Sequence, residues 1–225
     1  MDRLKAKLLA QIRPDSFVGD TANWQQRKSG EMRTRILEAT IDCLVEKGYA
    51  GLSTSQVIQR AGISRGAMHH HFANRMALVA SVIEYTVYQR MENFLSDYFK
   101  AVAAKADTSV TIVAARIHWK SVQTREYAAY LELAVAARND AELNNHFQPA
   151  ARKLDKIWAQ EMIKSFPQWQ EHWDALQVAN DFAMAAHMGL LLHAPVFGRG
   201  KRLAAVRDLI ENVIVQLHTG VGVGG

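Results

Sequence analysis

Leu52-Ser53-Thr54-Ser55-Gln56-Val57-Ile58-Gln59-Arg60-Ala61-Gly62-Ile63-Ser64-Arg65-Gly66-Ala67-Met68-His69-His70-His71-Phe72 is the stretch that decides how this chain folds. Ser53, followed three residues later by Gln56, spells a capping box, in which each side chain accepts the other residue's backbone N–H. A helix is therefore expected to start at Ser53, with Val57, Ile58 and Ala61 as its buried face and Gly62 as its stop. Ser64 can cap a second helix from Arg65 to about Phe72. Two short helices joined by the tight Ala61-Gly62-Ile63-Ser64 turn match a helix-turn-helix over residues 53–72. Gly62 can take positive φ at no steric cost. Ala61 lets the two helices approach, and Ile63 can plug the angle between them.

The second helix of such a pair is free to enter a DNA major groove with its N-terminal residues facing base edges. Arg65 stands at that end, and arginine can pair bidentately with guanine O6 and N7. Gly66 and Ala67 keep the helix slim where it would enter. Helix N-termini at Thr54 and at Asn74-Arg75 can hold phosphates through backbone N–H groups, hydroxyls and the arginine charge. The candidate DNA contacts are Thr54, Ser55, Ser64, Arg65, Gly66, Ala67, His69, His70 and Arg75. The run His69-His70-His71 invites a metal, but successive helix positions diverge by about 100°, so three adjacent histidines cannot converge on one ion. His71 and Phe72 are expected to pack inward instead, leaving His69 and His70 toward DNA.

Upstream, Ile36, Leu37, Thr40, Ile41, Leu44 and Val45 form one apolar stripe on a helix that Gly48 closes, with Cys43 at its border. Downstream, Asn74 can cap a long helix whose apolar period runs through Leu78, Val82, Tyr85, Tyr88, Met91, Leu95 and Phe99 to an end near Asp107-Thr108. Further helices are expected near 109–122, 125–138, 141–165, 171–194 and 201–218, broken at Asn139-Asp140, Pro167 and the segment from Pro195 to Gly200. No segment alternates at period two, so the fold class is all-α.

Arg35-Ile36-Leu37, Gly48-Tyr49, Leu52-Ser53-Thr54, the run Ala61 to Met68, His71-Phe72, Asn74-Arg75 and Leu78 together resemble the DNA-binding region of the TetR family of bacterial transcriptional regulators, over residues 31–80. The resemblance implies an all-α homodimer with an N-terminal three-helix helix-turn-helix head and a larger helical ligand-binding and dimerisation body. Residues 1–29 would be an extension, 30–90 the head and 91–225 the body. Members commonly repress transcription until a small molecule binds. One departure stands out. The family usually has tyrosine where this chain has His69; histidine can also donate to phosphate, more strongly when protonated, so DNA binding is expected to be pH-sensitive.

In the body, Arg116, His118, Trp119, Tyr130 and His187 are the candidate polar and aromatic lining of a pocket for a small-molecule effector. The last two helices carry an apolar stripe and a row of small residues, which makes Ala183, Leu190, Val206, Ile210, Val213 and Leu217 the candidate homodimer interface. A twofold dimer would supply two recognition helices spaced for a palindromic operator.

The wider composition agrees. Among residues 27–80, eight Lys and Arg face four Asp and Glu; residues 1–26 have four against three, and the remaining 145 balance to zero, within a net charge of +5. A basic first third suits a polyanion such as double-stranded DNA. The most apolar run, Phe182 to Phe197, is interrupted by His187 and His193 and falls short of the roughly 20 residues of a membrane span. With no apolar leader after Met1, the expectation is a soluble bacterial protein of the cytoplasm, at the nucleoid when DNA-bound. No H-E-x-x-H or P-loop is present, and neither an enzyme nor a cofactor is expected. Leu4, Leu8 and Ile12, among Arg3, Lys5, Lys7 and Arg13, suggest a short basic amphipathic helix; a flexible tail is the alternative.

Overall fold

A computed structural model describes residues 2–14, 24–104, 110–165, 167–198 and 200–219. The described residues form α1 (Asp2–Ile12), α2 (Trp24–Gly51), α3 (Thr54–Ala61), α4 (Arg65–His71), α5 (Arg75–Ala104), α6 (Val110–Ser121), α7 (Arg125–Ala137), α8 (Ala141–Ser165), a 3-10 segment (Pro167–His172), α9 (Trp173–Phe197) and α10 (Lys201–Thr219), with no strand among them. The expected end of the long helix near Asp107-Thr108 and the glycine-rich residues 220–225 lie outside the described residues.

The helices group into two compact units. One comprises residues 7–91 and 125–157; the other comprises 1–6, 92–124 and 158–225. In the first, Ile36, Leu37, Ile41 and Leu44 of α2 meet Val57 and Ala61 of α3, Met68 of α4, and Leu78, Val79 and Val82 of α5. Ala129 and Leu133 of α7, with Leu143 and Phe147 of α8, complete that core. Fully burying a side chain such as Leu or Phe is worth about 1.5–3 kcal/mol, so Leu133, Leu143 and Phe147 add several kcal/mol to a core built mainly by α2 to α5. In the second unit, Ala115 of α6, Leu190 of α9 and Ile210 and Ile214 of α10 form the core, with Trp119, Phe182 and Val206 packed around it.

Several expectations need correction. Val45 is exposed, because the buried face of α2 rotates through Ala39 and Cys43 instead. That helix starts at Trp24, well before the apolar stripe. Residues 24–29 are polar or exposed and bury nothing, so periodicity is silent about them. Pro195 does not break α9, which runs on to Phe197 before Gly198 takes positive φ. Proline removes one N–H donor there, yet the chain stays helical past it and the Gly198 N–H still reaches the Ala194 carbonyl. Leu190 and Ile210 are buried within the protomer, because α9 and α10 pack on each other and on α6. They are therefore core residues rather than surface contacts. Residues 2–12 are helical, and Leu8, Leu9 and Ile12 are buried.

Candidate nucleic-acid interface

The turn between α3 and α4 is built by local hydrogen bonds. Ser53 Oγ accepts the Gln56 N–H at 3.3 Å, and Gln56 Oε1 accepts the Ser53 N–H at 3.2 Å, which closes the capping box. Gly62 sits at φ 61°, ψ 44°, a left-handed conformation that costs a residue with Cβ about 1–2 kcal/mol. The Ile63 N–H reaches back to the Ile58 carbonyl. Ser64 Oγ accepts the Ala67 N–H at 3.1 Å, starting α4 and leaving its hydroxyl proton available to an outside acceptor.

Two arginines lock this pair of helices in place, and both direct donors inside the protein. Arg33 of α2 donates to the His71 carbonyl at 3.0 Å and to Ser81 Oγ at 2.8 Å, with its guanidinium over the Phe72 ring. It ties the end of α4 to α5. Its position one turn before Ile36 and Leu37, on the same stripe, was the signal in the sequence. Arg75 donates to the Leu52 and Tyr49 carbonyls and to the Tyr49 hydroxyl, and stacks on the Tyr49 ring at 4.4 Å. That hydroxyl in turn donates to Asp140 Oδ2 at 3.2 Å. Arg75 thus joins the ends of α2 and α5 to the start of α8, rather than standing open to a phosphate. Asn74 caps α5 through the Ala77 N–H.

An ion network adds a further tie. Arg125, first residue of α7, pairs with Glu38 and with Asp42 at 2.7 Å, and Asp42 also lies 3.6 Å from Arg60 of α3, which pairs with Glu46. Half-exposed pairs of this kind contribute about 1 kcal/mol or less each. Nothing local in the sequence reveals them.

What remains outward is a compact strip. Arg65, Gly66, His69 and His70 are exposed along one face of α4, flanked by exposed Ser55 and Ser64, while Thr54, Ala67 and Arg75 are partly covered. Among the described residues Arg65 has no hydrogen bond or ion pair. A Cβ on Gly66 would meet only Ser64 Oγ, at 3.8 Å, so nothing inside the protein demands glycine there. Phe72 is buried and His71 half-buried, where desolvation lowers its pKa from the usual imidazole range.

Gly62-Ile63-Ser64-Arg65-Gly66 happens to spell G-x-S-x-G, but Ser64 caps a helix that follows another helix, not the strand-to-helix elbow that bares a nucleophile. Residues 220–225 spell G-x-G-x-x-G beyond the described residues, with no strand before them. Cys43 is buried, and burial pushes its thiol pKa up, away from reactivity. Among the described residues no three His, Cys, Asp or Glu side chains are placed to hold a metal. No described helix is long and apolar enough to cross a membrane.

The body residues separate. His118 and His187 face each other with Nδ1 atoms 2.8 Å apart, so one ring donates and the other accepts. Trp119 leans on His187, and burial holds the His187 pKa down at about 4. An open cleft of about 370 Å³ lies beside them, lined by Arg116, Trp119, His187, Arg207 and Glu211. Arg116 is neutralised there by a two-pronged pair with Glu211 at 2.7 and 2.9 Å. Tyr130 belongs to the other compact unit, against Tyr127 and Phe147.

An all-α chain whose capped, glycine-turned helix pair bares Arg65 and two histidines on its second helix is a helix-turn-helix DNA-binding regulator. The sequence model for bacterial regulatory proteins of the tetR family matches residues 36–82. An uncharacterised HTH-type transcriptional regulator of Mycobacterium tuberculosis is 31% identical over 153 residues, covering 65% of this chain and 76% of that one. The chain belongs to the TetR family of bacterial transcriptional regulators. The HTH-type transcriptional regulator CymR of Pseudomonas putida is 27% identical over 140 residues, 60% of this chain and 66% of CymR. Among solved structures, one described as a TetR-family regulator from Mesorhizobium loti superposes with a TM-score of 0.62 at 17% identity, covering 86% of this chain and 98% of that one. The multidrug binding protein EbrR, solved with imidazole, gives a TM-score of 0.54 at 19% identity, covering 88% and 97%. At these identities the structures speak for the fold alone.

Proposed function

We propose that this regulator is a repressor that binds a palindromic operator as a homodimer and is released by a small apolar or amphipathic molecule. The observation that carries the DNA half is Arg65, exposed and unspent at the N-terminus of α4 while Arg33 and Arg75 behind it are consumed in holding the helices. The slim Gly66 and the donors of Ser64, His69 and His70 complete a surface for the major groove and its phosphates. Thr54, Ser55 and Ala67 flank it.

Support for the dimer comes from the apolar residues the protomer leaves uncovered. Val178, Leu192 and Val196 recur on one face of α9, and Leu209 is exposed on α10. This face replaces Leu190 and Ile210 as the proposed centre of the interface, with half-buried Ala183, Val206, Val213 and Leu217 beside it. An effector is supported by the family's general habit and by EbrR, a relative in fold that was solved with a small ligand. His118, Trp119 and His187 offer such a molecule an aromatic wall. Meeting the chromosome, the protein would act in the cytoplasm, at the nucleoid.

The test is fluorescence anisotropy of wild type and Arg65→Ala on DNA from upstream of the chain's own gene and on random DNA of equal length. Losing one bidentate base contact should cost about 1–3 kcal/mol on the operator and little on random DNA. Equal losses on both would sink the docking.

A further inference from the structure

Arg90 of α5 is unlike the other partly buried arginines of its unit. Arg33, Arg75 and Arg125 each reach a carbonyl, hydroxyl or carboxylate. The Arg90 guanidinium instead lies 4.2 Å from the centre of the Tyr127 ring and 3.8 Å from that of Tyr130. Its Nε is buried with no hydrogen-bond partner, as is that of Arg33, but among the described residues the Arg90 guanidinium also has no carbonyl, hydroxyl or carboxylate partner. Glu126 and Glu38 are engaged by Arg125, and Glu38 also by the Tyr85 hydroxyl. Contact with ring faces compensates a cation only in part and leaves its N–H donors unspent. Tyr130 continues the aromatic wall to Phe147, at 5.1 Å between ring centres.

One uncompensated cation against two tyrosine rings, with the Phe147 ring beyond Tyr130, fits a ligand with one negative charge and an apolar body. A guanidinium fork matches a carboxylate bidentately. A phosphate dianion would bring two charges to a single cation. The cleft beside His187 does not compete for an acid, since Arg116 is bound to Glu211 and Arg207 lies 3.9 Å from Asp208. We propose that Arg90, flanked by Tyr127 and Tyr130, is a recognition site for a monocarboxylate carried on an apolar group. That such an acid is the effector rests on the repressor reading above. The route to DNA is short: Tyr127 and Tyr130 ride on α7, whose first residue, Arg125, grips Glu38 and Asp42 and, through Asp42, Arg60 of α3.

The experiment is calorimetric titration of the full chain with benzoate, phenylacetate and octanoate, each against its amide. At least one acid should bind saturably and its amide about tenfold more weakly, the factor that an ion-paired hydrogen bond supplies. Arg90→Met should abolish the preference for the acid. If Arg90→Met loses its helical circular dichroism, Arg90→Lys carries the comparison; it keeps charge without the fork and should bind the acid about tenfold more weakly. No binding by any of the three acids at about 10 mM, ten times a Kd of about 1 mM, overturns the site. So does equal binding of acid and amide, or an unchanged acid preference in the variant. The DNA readout separates the two claims. An acid that binds through Arg90 yet leaves DNA affinity unchanged supports the site and ends the effector reading; release of DNA by the amides in Arg90→Met does the opposite.

Discussion

Arginine illustrates how one residue type divides its labour in this protein. Arg65 faces outward with no partner among the described residues, while Arg75 spends its guanidinium on Tyr49 and the Leu52 carbonyl. Arg75→Lys is therefore expected to lower stability by roughly 1–3 kcal/mol, because lysine keeps the charge but cannot bridge three acceptors. Thermal melting checks this, and a wild-type Tm with DNA binding intact would return Arg75 to a plain phosphate contact. His187 makes a different prediction. Its folded pKa of about 4 lies below the ordinary 6.5, so between those values the unfolded chain binds a proton that the folded chain refuses. The stability contributed by neutral His187 is complete above about 6.5 and declines as pH falls toward 4. Melting curves across that window should fall more steeply for wild type than for His187→Gln; parallel curves would show that the ring is not kept neutral.

At the scale of elements, α3 and α4 were legible because their signals are satisfied within a few residues. Ser53 with Gln56, Gly62, Ser64 and Asn74 each act on backbone groups at most four positions away. Gly62→Ala is expected to cost about 1–2 kcal/mol and lower Tm by about 2–8 °C through backbone strain alone, since open space surrounds its Cβ position. An unchanged Tm would mean the turn relaxes freely. The networks around Arg90 and Arg125 were not legible, because both find partners far along the chain. Periodicity also marks that a helix has an apolar face without saying which of two such faces the protomer keeps. On α9 and α10 the protomer keeps Leu190 and Ile210 and leaves Leu192 and Leu209 outside.

For the whole molecule, that last distinction separates assembly from folding. Leu209→Asp should leave a folded monomer, whereas Ile210→Asp should unfold its unit, because a carboxylate in an apolar core is costly unless paired or protonated. Light scattering and circular dichroism on both variants decide the matter. A dimeric Leu209→Asp would move the interface off this face, and a well-folded Ile210→Asp would contradict the packing of α10 against α6 and α9.

The participation of α7 and the first half of α8 in the core of the DNA-reading unit bears on how this protein is made and how it can be recombined. A ribosome adding roughly 5–20 residues per second needs about 3–13 s to travel from Met91 to Ile157. During that interval the nascent recognition helix exists without the Ala129, Leu133, Leu143 and Phe147 side chains that cover its supporting core. The head is thus not a cassette. An engineer who grafts residues 24–91 onto another regulator transplants an unfinished core, and a working exchange of operator specificity must carry residues 125–157 with it or replace only the exposed strip of α4.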